Sequence, residues 1–166
     1  MRNHKNSASS KITMKLYLDT NIILGWFKRI MQKERKGREF EIPSLLKFLS
    51  SHSELELIVS DITRVEIFRY LISEWGCNLE SCRKAWDYFI ESFEIEVIKA
   101  EINFEELEEI CLAVPTRKKT LINLLHLQIA KRYKFWFLTG EKELKEKYSN
   151  YYDGILTYKE LRRLLS

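Results

Sequence analysis

The chain has 166 residues, which is long enough for one domain with a sizeable hydrophobic core. Apolar residues make up 45% of it and charged residues 31%, as in ordinary soluble proteins, and no apolar run approaches the roughly 18 residues that a membrane span requires. Of the formal net charge of +4, Arg2, Lys5 and Lys11 supply three units, so the remainder is near +1. Net charge therefore does not by itself indicate a nucleic-acid partner.

The first 13 residues are polar and lack the apolar core of a secretory signal. We interpret residues 1–13 as a disordered tail, or as sequence upstream of a start at Met14, and residues 14–166 as a single domain. The cysteines Cys77, Cys82 and Cys111 are typical of the reducing cytoplasm and lack the spacing of a zinc site. The sequence thus predicts a cytoplasmic protein.

Apolar periodicity predicts strands that alternate with helices. In the first half we expect a strand at 15–18, a helix at 21–31, a helix beginning at Pro43, a strand at 57–59, and a helix from Ser60 or Asp61 to Gly76. In the second half we expect helices at 79–92, 104–113, 118–132 and 158–165, and strands at 95–98, 135–138 and 155–156. The helix at 104–113 is expected to face inward with Leu107, Ile110 and Cys111 and to end before Pro115. Thr139 is expected to cap a further helix after the strand at 135–138. This alternation predicts an α/β fold with a mostly parallel sheet between two layers of helices.

Four polar residues lie near predicted strand ends or helix starts: Asp19, Glu66, Asn123 and Glu141. Parallel strands share one carboxyl edge, so Asp19 and Glu141 are expected to be neighbours there, with Glu66 approaching from its helix. Three converging carboxylates repel one another unless a cation neutralises them. The pattern therefore predicts a site for Mg²⁺ or Mn²⁺.

Each of these residues also has a structural explanation. Asp19 is an N-cap candidate, Thr63 to Glu66 fits a capping box, and Glu141 suits the first turn of a helix. Asn123 is equally compatible with the polar edge of a buried helix. His126 is more typical of a packed, hydrogen-bonded core residue than of a metal ligand.

Basic residues form three groups in the sequence, at Lys28–Arg38, Arg117–Lys119 and Lys131–Lys134. Such groups are often only solvated surface, but they are also suited to holding a phosphate backbone. We predict that Arg117, Lys118 and Lys119 contact nucleic acid, together with Arg64 and the group at Lys28–Arg38. A surface ion pair is the alternative for Arg64.

Four segments together resemble the PIN-domain ribonuclease family, which includes the toxins of VapBC toxin–antitoxin pairs. They are Tyr17-Leu18-Asp19-Thr20-Asn21-Ile22-Ile23, Val59-Ser60-Asp61-Ile62-Thr63-Arg64-Val65-Glu66, Asn123-Leu124-Leu125-His126-Leu127-Gln128-Ile129-Ala130 and Phe137-Leu138-Thr139-Gly140-Glu141. The first is fairly specific, whereas the others are convincing only in this order. The resemblance implies a three-layer α/β/α sandwich and metal-dependent hydrolysis of RNA.

The resemblance also implies roles for single residues. Asp19, Glu66 and Glu141 are expected to hold Mg²⁺ or Mn²⁺, Asn123 to add a neutral contact, and Asn21 and Thr139 to support Asp19 by hydrogen bonds. Asn123 stands where the family usually has Asp, and Glu141 replaces a second Asp. The site charge is then −3 rather than −4, which weakens binding of a second cation. A homodimer and an antitoxin partner are expected on the same basis.

Two classes of function therefore remain open. The chain is either a metal-dependent endoribonuclease, as in a toxin–antitoxin pair, or an inactive PIN-like domain that binds RNA or regulates. A different α/β hydrolase, such as a phosphatase, is a third alternative. Asn123 is the feature that separates the first two.

Overall fold

The computed structural model describes residues 13–113 and 121–166. The strands are β1 (Met14–Leu18), β2 (Leu55–Ser60), β3 (Glu96–Ile98), β4 (Trp136–Leu138) and β5 (Ile155–Leu156). The helices within these ranges are α1 (Thr20–Lys36), α2 (Ser44–Ser50), α3 (Asp61–Trp75), α4 (Leu79–Phe93), α5 (Phe104–Ala113), α6 (Leu121–Tyr133), α7 (Lys142–Tyr148) and α8 (Tyr158–Leu165). All five strands are parallel and form one sheet in the order β3-β2-β1-β4-β5.

The two faces of the sheet carry separate hydrophobic cores, because successive side chains of a strand point to opposite faces. In β1, Leu16 and Leu18 belong to the core beneath α1 to α4 and α8, whereas Tyr17 belongs to the core beneath α5 to α7. Each of these three side chains is fully buried. The predicted three-layer α/β/α fold is confirmed.

The strand order places the end of β1 at a topological switch point. From β1 the chain builds β2 and β3 on one side, then returns to build β4 and β5 on the other. Leu18 of β1 pairs with Leu138 of β4, so the residues that follow, Asp19 and Thr139, leave the sheet side by side. In open α/β sheets this crevice at the carboxyl ends of the strands is where ligands bind.

Most predicted elements lie within a few residues of their expected bounds, but some details were wrong. Cys111 was expected inside and is exposed, because only Leu107 and Ile110 of α5 face the core. Thr139 was expected to cap the next helix, whereas α7 begins later and its N-cap position is Glu141. Residues 1–12, Pro115 and residues 118–120 of the predicted sixth helix lie outside the described residues. Within the described ranges, no helix is both long and apolar enough to cross a bilayer.

Candidate functional site

Asp19 is a buried carboxylate at the carboxyl end of β1. Asp19 is only 4% exposed, and Thr139 Oγ1 donates a hydrogen bond to Asp19 Oδ2 at 2.8 Å. The Asp19 backbone N–H also donates to the carbonyl of Leu138 at 2.9 Å. Main-chain and side-chain contacts to β4 therefore fix the position of this carboxylate.

Glu66 reaches the same edge from α3 and is held by two donors. Thr20 Oγ1 donates to Glu66 Oε1 at 2.6 Å, and His126 Nε2 lies 2.5 Å from the same oxygen. Thr20 directly follows Asp19 in the chain, so this contact brings the second carboxyl group to the first. His126 lies on α6 and is fully buried.

The capping-box alternative for Glu66 is wrong. Helix α3 begins at Asp61, which places Thr63 inside the first turn and Glu66 a turn further along. The Ser60 backbone N–H donates to Thr63 Oγ1 at 3.3 Å, so Thr63 serves the helix start without Glu66. The Glu66 side chain turns instead to Thr20 and His126.

The electrostatics of Asp19 show that the acidic residues act on one another. Burial raises the pKa of the Asp19 carboxyl above its ordinary value, and the nearby carboxylates of Glu141 and Glu66 raise it further. His126 and the Thr139 hydrogen bond lower it, but the net direction is upward. Burial and the two carboxylates therefore outweigh His126 and Thr139, and the ionised form of Asp19 is disfavoured at this position.

These residues suit a sparsely coordinated hard cation. Across the described residues, no three His, Cys, Asp or Glu side chains are grouped closely enough to bind a metal together. Mg²⁺, however, keeps several waters and is commonly held by only one or two carboxylates plus substrate phosphates. The pKa of Asp19 is raised by burial and further by two nearby carboxylates, and a hard cation centred on Asp19 would relieve both effects.

The other predicted site residues are Glu141, Asn123 and Asn21. Glu141 is half-buried and its backbone N–H donates to Thr139 Oγ1 at 3.0 Å. Asn123 is half-buried on α6, three residues before His126. Asn21 Oδ1 accepts a hydrogen bond from the Gly140 backbone N–H at 3.2 Å, and the supporting role expected for Asn21 beside Asp19 stays a prediction.

The predicted RNA-contacting residues that the structure describes lie mainly on α1 and α3. Arg64 lies over the Phe68 ring, 5.0 Å from its centroid, and is half-buried on α3. Lys33, Arg35 and Lys36 occupy the last turn of α1. At 1.5 Å per residue this turn is roughly 20 Å from Thr20, so these three residues are not beside Asp19. Arg117, Lys118 and Lys119 lie outside the described residues.

Sequence reasoning missed three residues that join this site: Tyr17, Thr20 and Ser60. The Tyr17 hydroxyl contacts Ser60 Oγ at 2.8 Å and His126 Nδ1 at 2.6 Å. A tyrosine between two leucines of a buried strand was the available signal, since a buried hydroxyl requires a partner. The sequence did not indicate which partner.

The sequence matches no protein-family model and no curated protein. Among solved structures it is similar to the crystal structure of VapBC2 from Rickettsia felis bound to a DNA fragment from their promoter. The TM-score is 0.52 and the sequence identity 19%, and the match covers 87% of this chain and 97% of the other. At this identity the likeness shows a shared PIN-like fold.

Proposed function

We propose that this protein is a divalent-cation-dependent endoribonuclease of the PIN-like kind, acting as the toxin of a toxin–antitoxin pair. The observation that carries the proposal is the Asp19 carboxylate at the switch point of the sheet, whose pKa is raised by burial and, to a smaller extent, by repulsion from Glu141 and Glu66. A hard cation relieves that repulsion and serves phosphodiester hydrolysis. The shared fold with the Rickettsia felis structure supports the same assignment.

The residues of this chain divide the work in the proposed reaction. A bound Mg²⁺ or Mn²⁺ supplies Lewis acidity toward the phosphoryl oxygens. Asp19 is the principal ligand, and Thr139 fixes its orientation through Oδ2. Glu66 and Glu141 add negative charge and bind the cation directly or through water.

Asn123 adds an amide oxygen, a neutral ligand for a hard cation, in place of a fourth charge. One cation is then bound more tightly than a second. The RNA backbone is expected to approach Arg64 and the basic residues Arg117, Lys118 and Lys119.

The partners are proposed from the resemblance and the structural neighbour. The neighbour is described as VapBC2 bound to promoter DNA, so we propose that an antitoxin protein binds this chain. We also propose a homodimer. Co-expression with the product of an adjacent short reading frame should relieve growth inhibition caused by this chain.

The decisive experiment is cleavage of mixed RNAs by the purified full chain with Mn²⁺, alongside Asp19→Asn. The matched control is Asp87→Asn, the same chemical change at an exposed position of α4. We expect cleavage by the parent protein and by Asp87→Asn, and none above background by Asp19→Asn. Equal cleavage by all three proteins would remove the metal-nuclease proposal.

A second function has one observation in its favour. The described residues contain no group of three metal-binding side chains, which favours a PIN-like domain that binds RNA without cutting it. That function predicts RNA binding by the parent protein that EDTA leaves unchanged, with no cleavage in Mn²⁺. The nuclease proposal instead predicts that the parent protein cleaves RNA in Mn²⁺.

A further inference from the structure

We infer that Tyr17 and His126 form a directional hydrogen-bond chain that holds Glu66 through one carboxylate oxygen, which makes His126 a positioning residue for the site. The inference rests on the proposed function, because it assigns Glu66 a defined orientation toward a cation. Tyr17 and His126 have no direct role in the proposed hydrolysis. The chain runs from Ser60 through Tyr17 and His126 to Glu66.

The direction of the chain follows from counting donors at its Glu66 end. An ionised carboxylate only accepts hydrogen bonds, so both Thr20 Oγ1 and His126 Nε2 donate to Glu66 Oε1. The Thr20 oxygen lies 3.2 Å from Nε2 and is a weaker second acceptor for the same N–H. His126 therefore carries a proton on Nε2.

The other end of the ring then has a defined partner. The inferred ring is neutral and carries its single proton on Nε2, so Nδ1 accepts and the Tyr17 hydroxyl donates to it across 2.6 Å. Tyr17 has a single hydroxyl proton, so Ser60 Oγ must donate to the Tyr17 oxygen at 2.8 Å. Each hydrogen bond then has one donor and one acceptor, and the donors run in order from Ser60 through Tyr17 and His126 to Glu66.

Burial makes this arrangement rigid. Tyr17, Ser60 and His126 are each fully buried, so no water competes for their polar atoms at the surface. Turning the imidazole would leave a buried donor or acceptor without a partner, which disfavours any other ring orientation. Glu66, whose side chain is 22% exposed, is thus anchored at Oε1 by groups that cannot easily move.

The first test reads the tautomer of His126 directly and needs no cation. Long-range ¹H–¹⁵N correlation spectra of the histidine rings are recorded for the full chain without divalent ions. We expect a His126 ring with the proton on Nε2 and an unprotonated, hydrogen-bonded Nδ1. A proton on Nδ1, in a neutral or doubly protonated ring, would overturn the inference, because Tyr17 would then not be the donor.

Tyr17→Phe removes the donor to Nδ1, and Tyr148→Phe is its matched control. Tyr148 is also a buried tyrosine, 1% exposed, but its hydroxyl has no hydrogen-bond partner among the described residues. We expect Tyr17→Phe to broaden or shift the His126 ring signals and Tyr148→Phe to leave them unchanged. Identical His126 spectra in both variants would contradict the proposed hydrogen-bond chain.

The second test measures how tightly Mn²⁺ binds, by isothermal titration calorimetry on folded variants. We expect Tyr17→Phe to weaken Mn²⁺ binding about tenfold, the scale typical of residues that orient metal ligands, and Tyr148→Phe to leave it unchanged. His126→Gln can place an amide N–H near the Nε2 position, whereas His126→Asn is too short. Binding should therefore be closer to the parent value in the Gln variant.

The two proposals fail in different ways. If the parent protein binds Mn²⁺ and Asp19→Asn does not, while Tyr17→Phe and His126→Asn bind as tightly as the parent, the positioning role is wrong and the metal site stands. If the parent protein does not bind Mn²⁺, the proposed function is wrong, and the ring spectra still decide whether the chain exists.

Discussion

Thr139 Oγ1 donates a hydrogen bond to Asp19 Oδ2 across 2.8 Å, although the two residues are 120 positions apart. They meet because β1 and β4 are adjacent parallel strands that end at the same edge of the sheet. The same Thr139 oxygen accepts from the Glu141 backbone N–H at 3.0 Å. Thr139 therefore couples the buried carboxylate to the loop that carries the third acidic residue.

Replacing this hydroxyl should damage both stability and activity. Thr139→Val keeps the shape but removes the hydrogen bonds that the Thr139 hydroxyl makes to Asp19 and from the Glu141 N–H, which should lower the free energy of unfolding by about 1–3 kcal/mol. Cleavage should fall by roughly 10–100-fold, as for other residues that orient metal ligands. Urea unfolding and RNA cleavage rates are the measurements. Thr139→Ser keeps the hydroxyl and should retain most of both, and parent-like cleavage by the Val variant would contradict this role.

Asp19→Asn should stabilise the folded protein when divalent ions are absent. Burial and the neighbouring carboxylates disfavour the ionised Asp19, as its raised pKa shows, and an amide removes that charge while still accepting from Thr139. We expect an increase in the free energy of unfolding of about 1 kcal/mol, which for a domain of this size raises Tm by roughly 2–4 °C. Thermal unfolding at neutral pH in EDTA is the measurement.

Mn²⁺ should reverse the order of stability between these two proteins. A cation that binds only the folded state raises Tm of the parent with concentration, and Asp19→Asn should show little of this increase. Asp87→Asn, the exposed control, should respond to Mn²⁺ as the parent does. An equal Tm rise in Asp19→Asn would show that Mn²⁺ binds elsewhere.

Asn123→Asp should strengthen the site. The position is half-buried on α6, one helical turn before His126, and the change adds a fourth negative charge to the proposed site. We expect several-fold tighter Mn²⁺ binding and faster cleavage, because a hard cation gains a charged ligand. Calorimetry and a cleavage time course are the measurements. Asn150→Asp adds the same charge beside Trp136, at the amino end of β4, and should change neither.

The Lys145–Glu160 pair should make stability depend on pH in the acidic range. Partial burial raises the pKa of Glu160, but hydrogen bonds from Lys145 and Thr157 and the Lys145 charge outweigh it, so the net pKa lies below its ordinary value. Lys145 Nζ lies 2.5 Å from Glu160 Oε2 and 2.6 Å from the Ile155 carbonyl. Because the pKa is lower in the folded state, the stabilisation is present above the unfolded pKa and is lost as pH falls through the folded pKa.

Glu160→Gln should therefore lower the free energy of unfolding by up to about 1 kcal/mol near neutral pH, a value limited by solvent screening of this half-exposed pair. The difference from the parent protein should vanish once Glu160 is protonated in both folded and unfolded states. Urea unfolding across the acidic range is the measurement. Glu80→Gln breaks the exposed Lys84–Glu80 pair on α4 and should have a smaller effect. A Glu160→Gln penalty that persists at the acidic end would contradict the assignment.

The order of strands and helices could be predicted from the sequence because it depends on local features. Alternation of apolar runs, a proline before α2 and a glycine after α3 predicted nearly every described element. The position of Asp19 at the end of the first strand was visible for the same reason, since a short apolar run stops at an acidic residue. These features involve neighbours in the chain and need no knowledge of how the layers pack.

The choice of hydrogen-bond partners could not be predicted in the same way. The hydroxyl of a threonine before a helix can cap that helix or donate to a distant carboxylate. The pairing of β1 with β4 places Thr139 beside Asp19, so the hydroxyl donates to that carboxylate. Glu66 was compatible with a capping box until packing brought His126 within reach. Likewise Asn21 turned to Gly140 because the loop after β4 lies beside it.

The amino-acid sequence by itself determined the α/β architecture and a carboxylate at the central strand end, because short-range periodicity dictates which segments become strands and helices. Only the tertiary structure decided which polar atoms surround that carboxylate. The physical reason is that a buried donor takes whichever acceptor the packed layers place within about 3 Å. That distance depends on strand order and register, which no single segment of the chain encodes.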